Sequence, residues 1–274
     1  MTRQPRDIGI EFISVFGLPP VEFIGLAADL GCRFVGMGLA PMAGNPHAYP
    51  AWSLREDAAL RRETVAAMRD RGVTISLGEG FLVRPGTDVA DAAADLDIMV
   101  ELGVPLANIL SLDPDLARGH DQLAKFAEMA GARDMQATLE FVPGMPIGDL
   151  PGTLAAVRHV GRDNFRVLID PMHIFRSGAT VADVAAIPPE EIGYIQLCDV
   201  PLVSAHANYA DEARYDRLCP GKGELPLLEL LKVLPRERAV GIEVPMLALA
   251  EAGVGPHARL GPCVEATRAL IAQL

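Results

Sequence analysis

Short apolar runs of strand length alternate with longer runs of helical periodicity eight times along this chain, and few architectures accommodate that pattern. Strand candidates fall at residues 8–15, 34–39, 73–77, 106–112, 136–142, 165–170, 193–200 and 239–244. The first helix is read over 19–30, where Val21, Ile24, Ala27 and Ala28 share one face. The second opens at Ser53, whose spacing to Glu56 is that of a capping box, and ends before Gly72. The third runs from a Thr87 cap to Gly103, and the fourth over 113–131 with Pro114 in its first turn. Further helices are read over 149–160, 181–186, 226–234 and 261–274. Strict alternation favours a parallel sheet. Eight such units in 274 residues favour closure into a (β/α)8 TIM barrel over an open sheet. An open dinucleotide-binding sheet usually carries a glycine-rich turn after its first strand. Here Phe16-Gly17-Leu18-Pro19-Pro20 follows, with no GxGxxG.

Half of the residues are apolar, enough for one large core, and no linker or low-complexity tract divides the chain. Residues 1–274 therefore read as a single domain. A net charge of −12 repels a phosphate backbone and argues against nucleic acid as a partner, while suiting a hard cation. No apolar run reaches the roughly 18 residues of a membrane span. Residues 1–9 are polar and lack a signal-peptide pattern, so a cytoplasmic enzyme with no membrane partner is expected. The cysteines, Cys32, Cys198, Cys219 and Cys263, are far apart and form no CxxC pair, which argues against a disulfide framework or a zinc knuckle. Cys32 and Cys198 sit in apolar runs and read as buried thiols.

The chemistry shows in where polar residues interrupt the strands. Strands five to eight end in Thr-Leu-Glu140, Leu-Ile-Asp170, Ile-Gln196-Leu-Cys-Asp199 and Gly-Ile-Glu243. In a β/α barrel the C-terminal strand ends converge on one face. A carboxylate within an apolar strand is costly unless it is paired or holds a cation. Neighbouring carboxylates cannot all stay ionised without compensation. Four consecutive strands ending in oxygen donors point to a divalent metal, and the oxygen-rich set suits Mg²⁺ or Mn²⁺, with Co²⁺ an alternative.

These motifs, with Asp170-Pro171-Met172-His173 and Arg217 before Pro220-Gly221-Lys222-Gly223-Glu224, resemble the xylose isomerase-like TIM-barrel superfamily, in its sugar-phosphate isomerase/epimerase branch. The resemblance runs over nearly the whole chain. It implies one metal ion held by Glu140, Asp170, Gln196 and Glu243, with Glu140 and Glu243 moving a proton through a metal-stabilised enediolate. It also implies that His173 and Arg217 contact substrate oxygens. The position of Gln196 is histidine in most epimerases of the family, and glutamine there is similar to 3-dehydroshikimate dehydratases. A glutamine carbonyl has no proton chemistry at neutral pH. The expected function is thus isomerisation or epimerisation of a small sugar or related polyhydroxylated ketone. The alternative is dehydration of a 3-dehydroshikimate- or inosose-type compound, and a third reading is a metabolite-binding barrel without catalysis. Glu79, at the end of strand three, faces the same rim, and His206 lies in the long loop after strand seven; both are candidate substrate contacts. The expected partner is a small molecule. Homo-oligomers are compatible with such barrels, and no interface is legible.

Overall fold

The computed structural model describes residues 6–42, 44–204 and 206–274. Of the polar stretch read over residues 1–9, residues 1–5 lie outside the described part. Eight strands form one sheet: β1 (Ile8–Ile10), β2 (Phe34–Gly38), β3 (Thr74–Val83), β4 (Leu106–Ser111), β5 (Gln136–Leu139), β6 (Phe165–Ile169), β7 (Ile192–Leu197) and β8 (Val240–Ile242). Each pairs in parallel with the next, and β8 pairs with β1, so the barrel is closed. Among the described residues the α-helices are α1 (Pro20–Asp29), α2 (Ala58–Arg71), α3 (Ala93–Glu101), α4 (Leu116–Gly131), α5 (Leu150–Val160), α6 (Pro171–Arg176), α7 (Val181–Ala185), α8 (Tyr209–Tyr215), α9 (Leu227–Val233), α10 (Leu247–Glu251) and α11 (Pro256–Ile271). None is long and apolar enough to cross a membrane.

The barrel's function rests on a two-residue rhythm. Residues two apart on a strand share a face. Leu106 and Asn108, Leu168 and Asp170, Tyr194 and Gln196 are such pairs, each apolar or aromatic first and polar second. Leu77, Leu106, Leu168 and Tyr194 form a small cluster separate from the main core, the lower filling of the barrel. The polar partners make the layer above it, at the C-terminal ends where such barrels build their sites. Residues of the other parity, among them Ile10, Val35, Val167, Ile195 and Ile242, join the main core with Phe23, Leu123 and Leu230 of the helices.

Several boundaries differ from the sequence reading, each for a local reason. The first strand stops at Ile10, and Phe12–Val15 form a 3-10 turn. There the Ser14 hydroxyl, accepting from the Val244 amide at 2.9 Å, ties the turn to the end of β8. The second helix begins at Ala58, not Ser53. Asp57 caps it by accepting from the amides of Ala59 and Leu60, while Ser53 only closes a turn onto the Glu56 amide. Asp88, not Thr87, caps the turn that leads into α3. Strand β3 continues through Glu79 to Val83. Three helices lie where none was read: α6, capped by Asp170 itself, α8, inside the stretch taken as a polar loop, and α10, after β8. The expectation against disulfide bonding is also corrected. Cys219, in the turn before α9, and Cys263, on α11, are joined in a disulfide across 44 positions. Cys32 and Cys198 are buried free thiols, as expected.

Candidate metal centre

Glu11, Glu140, Asp170 and Glu243 each stand one residue beyond a strand, on β1, β5, β6 and β8, and all four are buried. Glu79 joins them from within β3. Glu140 Oε2 accepts from the Asn108 side-chain amide at 2.6 Å, and Oε1 lies 3.2 Å from His173 Nε2. Glu243 has a parallel arrangement. Its Oε1 accepts from the Gln196 amide at 2.9 Å and its Oε2 from Arg217 Nη1 at 2.6 Å. The same Nη1 donates to Asp170 Oδ2 at 2.6 Å, so one guanidinium nitrogen sits between two carboxylates. Asp170 Oδ1 accepts from the amides of Met172 and His173 at 2.7 and 3.3 Å. The Asp-Pro start of α6 therefore orients a carboxylate and presents His173 one turn on. Tyr209, the first residue of α8, bonds His173 Nδ1 through its hydroxyl. His173 is thereby aimed at Glu140.

The electrostatics follow from crowding. Burial pushes the Asp170 carboxyl up, but the charges of Arg217 and His173 and the hydrogen bonds it accepts outweigh burial and hold it well below the usual range. Burial lifts Glu243 well above the ordinary carboxylate value; Arg217 pulls it down, and Glu140, Asp170 and Glu79 push it further up. Glu79 is raised by burial and by the charges of Glu140 and Glu11. Glu11 is raised to about 8, mostly by burial, although Tyr194 donates to it. These carboxylates share one buried guanidinium, and a layer so short of positive charge suits a cation. Two geometric observations fit a divalent ion here. Ligand atoms of Glu140, Asp170 and His173 lie within 4.8 Å of one another. The Gln196 side-chain carbonyl oxygen is buried without a hydrogen-bond partner, the donor type a hard cation takes.

The structure thus brings together Glu140, Asp170, His173, Gln196, Glu243, Arg217 and Glu79. It does not bring His206 to them: its Nε2 pairs with Asp216 Oδ2 at 2.7 Å, in the loop outside the cluster. Asp199, another strand-end acid, is taken up by the backbone, accepting from the amides of Val200, Leu225 and Gly221 and so fixing the turn after Arg217. Sequence reasoning missed Asn108 and Tyr209. Asn108 could have been found as the polar residue two positions after Leu106 in an apolar strand. Tyr209 follows Asn208, which caps α8, a signal hidden in a stretch read as loop.

A closed parallel barrel with acidic, amide and histidine side chains at its C-terminal strand ends defines a β/α-barrel built around a layer that could hold a cation. Residues 24–254 match the xylose isomerase-like TIM barrel family, and the chain belongs to it. A 3-dehydroshikimate dehydratase of Pseudomonas aeruginosa is 26% identical over 154 residues. The match takes in 54% of this chain and 24% of that protein, so the chain spans about a quarter of that relative's length. A xylose isomerase-like TIM barrel/4-hydroxyphenylpyruvate dioxygenase fusion protein superposes with a TM-score of 0.72 at 21% identity, over 92% of this chain and 42% of that one. The IolI protein with a bound zinc atom gives a TM-score of 0.79 at 14% identity, covering 97% and 98%. A D-psicose 3-epimerase, solved in the presence of D-fructose, gives 0.69 at 16% identity, covering 97% of each chain.

Proposed function

We propose that this protein is a divalent-metal-dependent isomerase or epimerase of a small sugar or related polyhydroxylated ketone. The reading is carried by the matched surroundings of Glu140 and Glu243. They lie on β5 and β8, on either side of Asp170 and Gln196 in the strand order. Each has one oxygen held by a neutral side-chain amide and the other against a histidine or an arginine. Two such carboxylates form an acid/base pair: one takes the proton α to a carbonyl, and the other returns it to the opposite face or the neighbouring carbon. Glu140, Asp170, Gln196 and Glu243 would hold the ion, which when bound supplies Lewis-acid charge to the substrate's carbonyl and adjacent hydroxyl. His173, kept in place by Tyr209, and Arg217, whose fork suits oxygen pairs, orient the substrate, with Glu79 at the rim.

A second reading shares the first step and differs in the exit: after proton loss a β-hydroxyl leaves, which makes the enzyme a dehydratase. Gln196 and the likeness to the P. aeruginosa dehydratase favour it. Both are tested in D₂O with Mn²⁺-loaded protein, a panel of ketoses and 3-dehydroshikimate. Deuterium at the α-carbon reports the shared step, an isomeric product supports the first reading, and a dehydrated product the second. In Glu140→Ala, bound metal is lost or activity falls by roughly 10³ while the far-UV circular dichroism stays native. A fully metallated, active variant, or wild type that neither binds metal nor exchanges the proton, overturns the assignment.

A further inference from the structure

Beside the acidic layer, on the same end of the barrel, lies a cavity of about 190 Å³ that the proton chemistry does not use. Its wall is apolar and aromatic: Phe12, Ile13, Phe16, Met42 and Tyr215, with Arg214 as its one charged residue. Two connections join it to the acidic layer and its histidine. Phe12 directly follows Glu11, and its ring lies over Gly38 at the end of β2, where an added Cβ would come within 2.9 Å. Helix α8 spans from one to the other, with Tyr209 on His173 at its start and Arg214 and Tyr215 on the cavity at its end.

The wall is built rather than incidental. Phe16 holds φ at +48°, a conformation rare for a bulky side chain. The Arg259 guanidinium lies 5.2 Å from its ring centroid and donates to the Ser14 carbonyl at 3.0 Å. Backbone held in this way gathers at binding sites. Met42, opposite, leaves 42% of its surface exposed, apolar area that a ligand would cover. Of the acids near Arg214, Glu212 grips Arg176 at 2.7 Å and Asp216 pairs with His206, while Asp211 lies one turn earlier on α8. Arg214 has no ion-pair partner among the described residues. An unpaired guanidinium at an aromatic wall matches a ligand that is apolar on its face and anionic at one end.

We propose that this cavity is the subsite for the far end of the substrate, and that this end carries an anionic group, a carboxylate or a phosphate, received by Arg214. The proposal rests on reading the neighbouring centre as a small-molecule site, and its test reads binding rather than turnover, so the two can fail separately. Benzoate, phenyl phosphate and neutral benzyl alcohol are titrated calorimetrically into the full chain, once in EDTA and once with Mn²⁺. At least one anion is expected to bind about tenfold more tightly than benzyl alcohol in both conditions, the order of one charge-assisted hydrogen bond. The tighter of the two anions identifies the group. Arg214→Gln should bring the three ligands within about twofold of one another, and Arg214→Lys should keep part of the preference. Saturable binding of neither anion, a preference that survives Arg214→Gln, or one that appears only with Mn²⁺ would overturn the proposal. The deuterium exchange described above stands or falls without it.

Discussion

Glu11 and Glu243 occupy equivalent places, one residue beyond the adjacent strands β1 and β8, yet their surroundings make them different groups. Glu243 is gripped by Gln196 and by Arg217, whose guanidinium it shares with Asp170. Glu11 is wholly buried, accepts one hydrogen bond from Tyr194 at 2.8 Å, and leaves its other oxygen without a partner. It fits only because its neighbours on both sides are glycines. A Cβ on Gly36 would lie 1.7 Å from Glu11 Oε2, and one on Gly241 1.6 Å from Oε1. On the β5–β8 side the Arg217 guanidinium and side-chain amides therefore act against burial, whereas on the β1–β2 side Glu11 has only the Tyr194 hydroxyl and burial prevails. Position at a strand end sets where a carboxylate points; the neighbouring strands decide what it can do.

That contrast can be broken most forcefully at Arg217. Arg217→Met leaves Asp170 and Glu243 facing each other without their shared cation, and should cost about 3–5 kcal/mol in chemical unfolding in EDTA. Mn²⁺ should return part of the loss, and a variant as stable as wild type in EDTA would mean that the pair does not need the guanidinium. A smaller effect is expected on the other side. Gly36→Ala pushes a methyl into the Glu11 carboxylate and should cost about 1–3 kcal/mol. If the clash is the cause, adding Glu11→Ala should restore much of that loss, read as strong non-additivity in a double-mutant cycle.

The third test is a pH dependence. Glu11 is raised to about 8 in the folded protein, above its ordinary value of 4.5, so between those limits the folded state binds the extra proton. The contribution is complete below pH 4.5 and is lost as pH rises toward 8. In EDTA, the melting temperature of wild type should fall over this interval more than that of Glu11→Gln. Parallel curves would show that Glu11 does not titrate there.

What the sequence disclosed follows from the range of the forces involved. Strand order and the β5–β8 donors were legible because period-two patterning is local and an acid in an apolar strand is conspicuous. Turn chemistry was less so: Ser53 and Thr87 look like caps in isolation, but Asp57 and Asp88 make the bonds to the following amides. The role of Glu11 was not legible, because it depends on Gly36 and Gly241 closing around it from strands that only the finished barrel brings together. The Arg217 bridge was equally hidden, since Asp170 lies 47 positions earlier and Glu243 26 later. His206, marked as a candidate for its residue type, is held by a neighbouring aspartate.

The bond between Cys219 and Cys263 makes the last turn of the barrel a ring in the covalent sense. Between its ends, 44 positions apart, lie α9, β8 and Glu243, so the strand that seals the sheet against β1 sits inside a loop already closed in the unfolded chain. By loop-closure entropy such a ring removes disorder worth about 4 kcal/mol from the unfolded state.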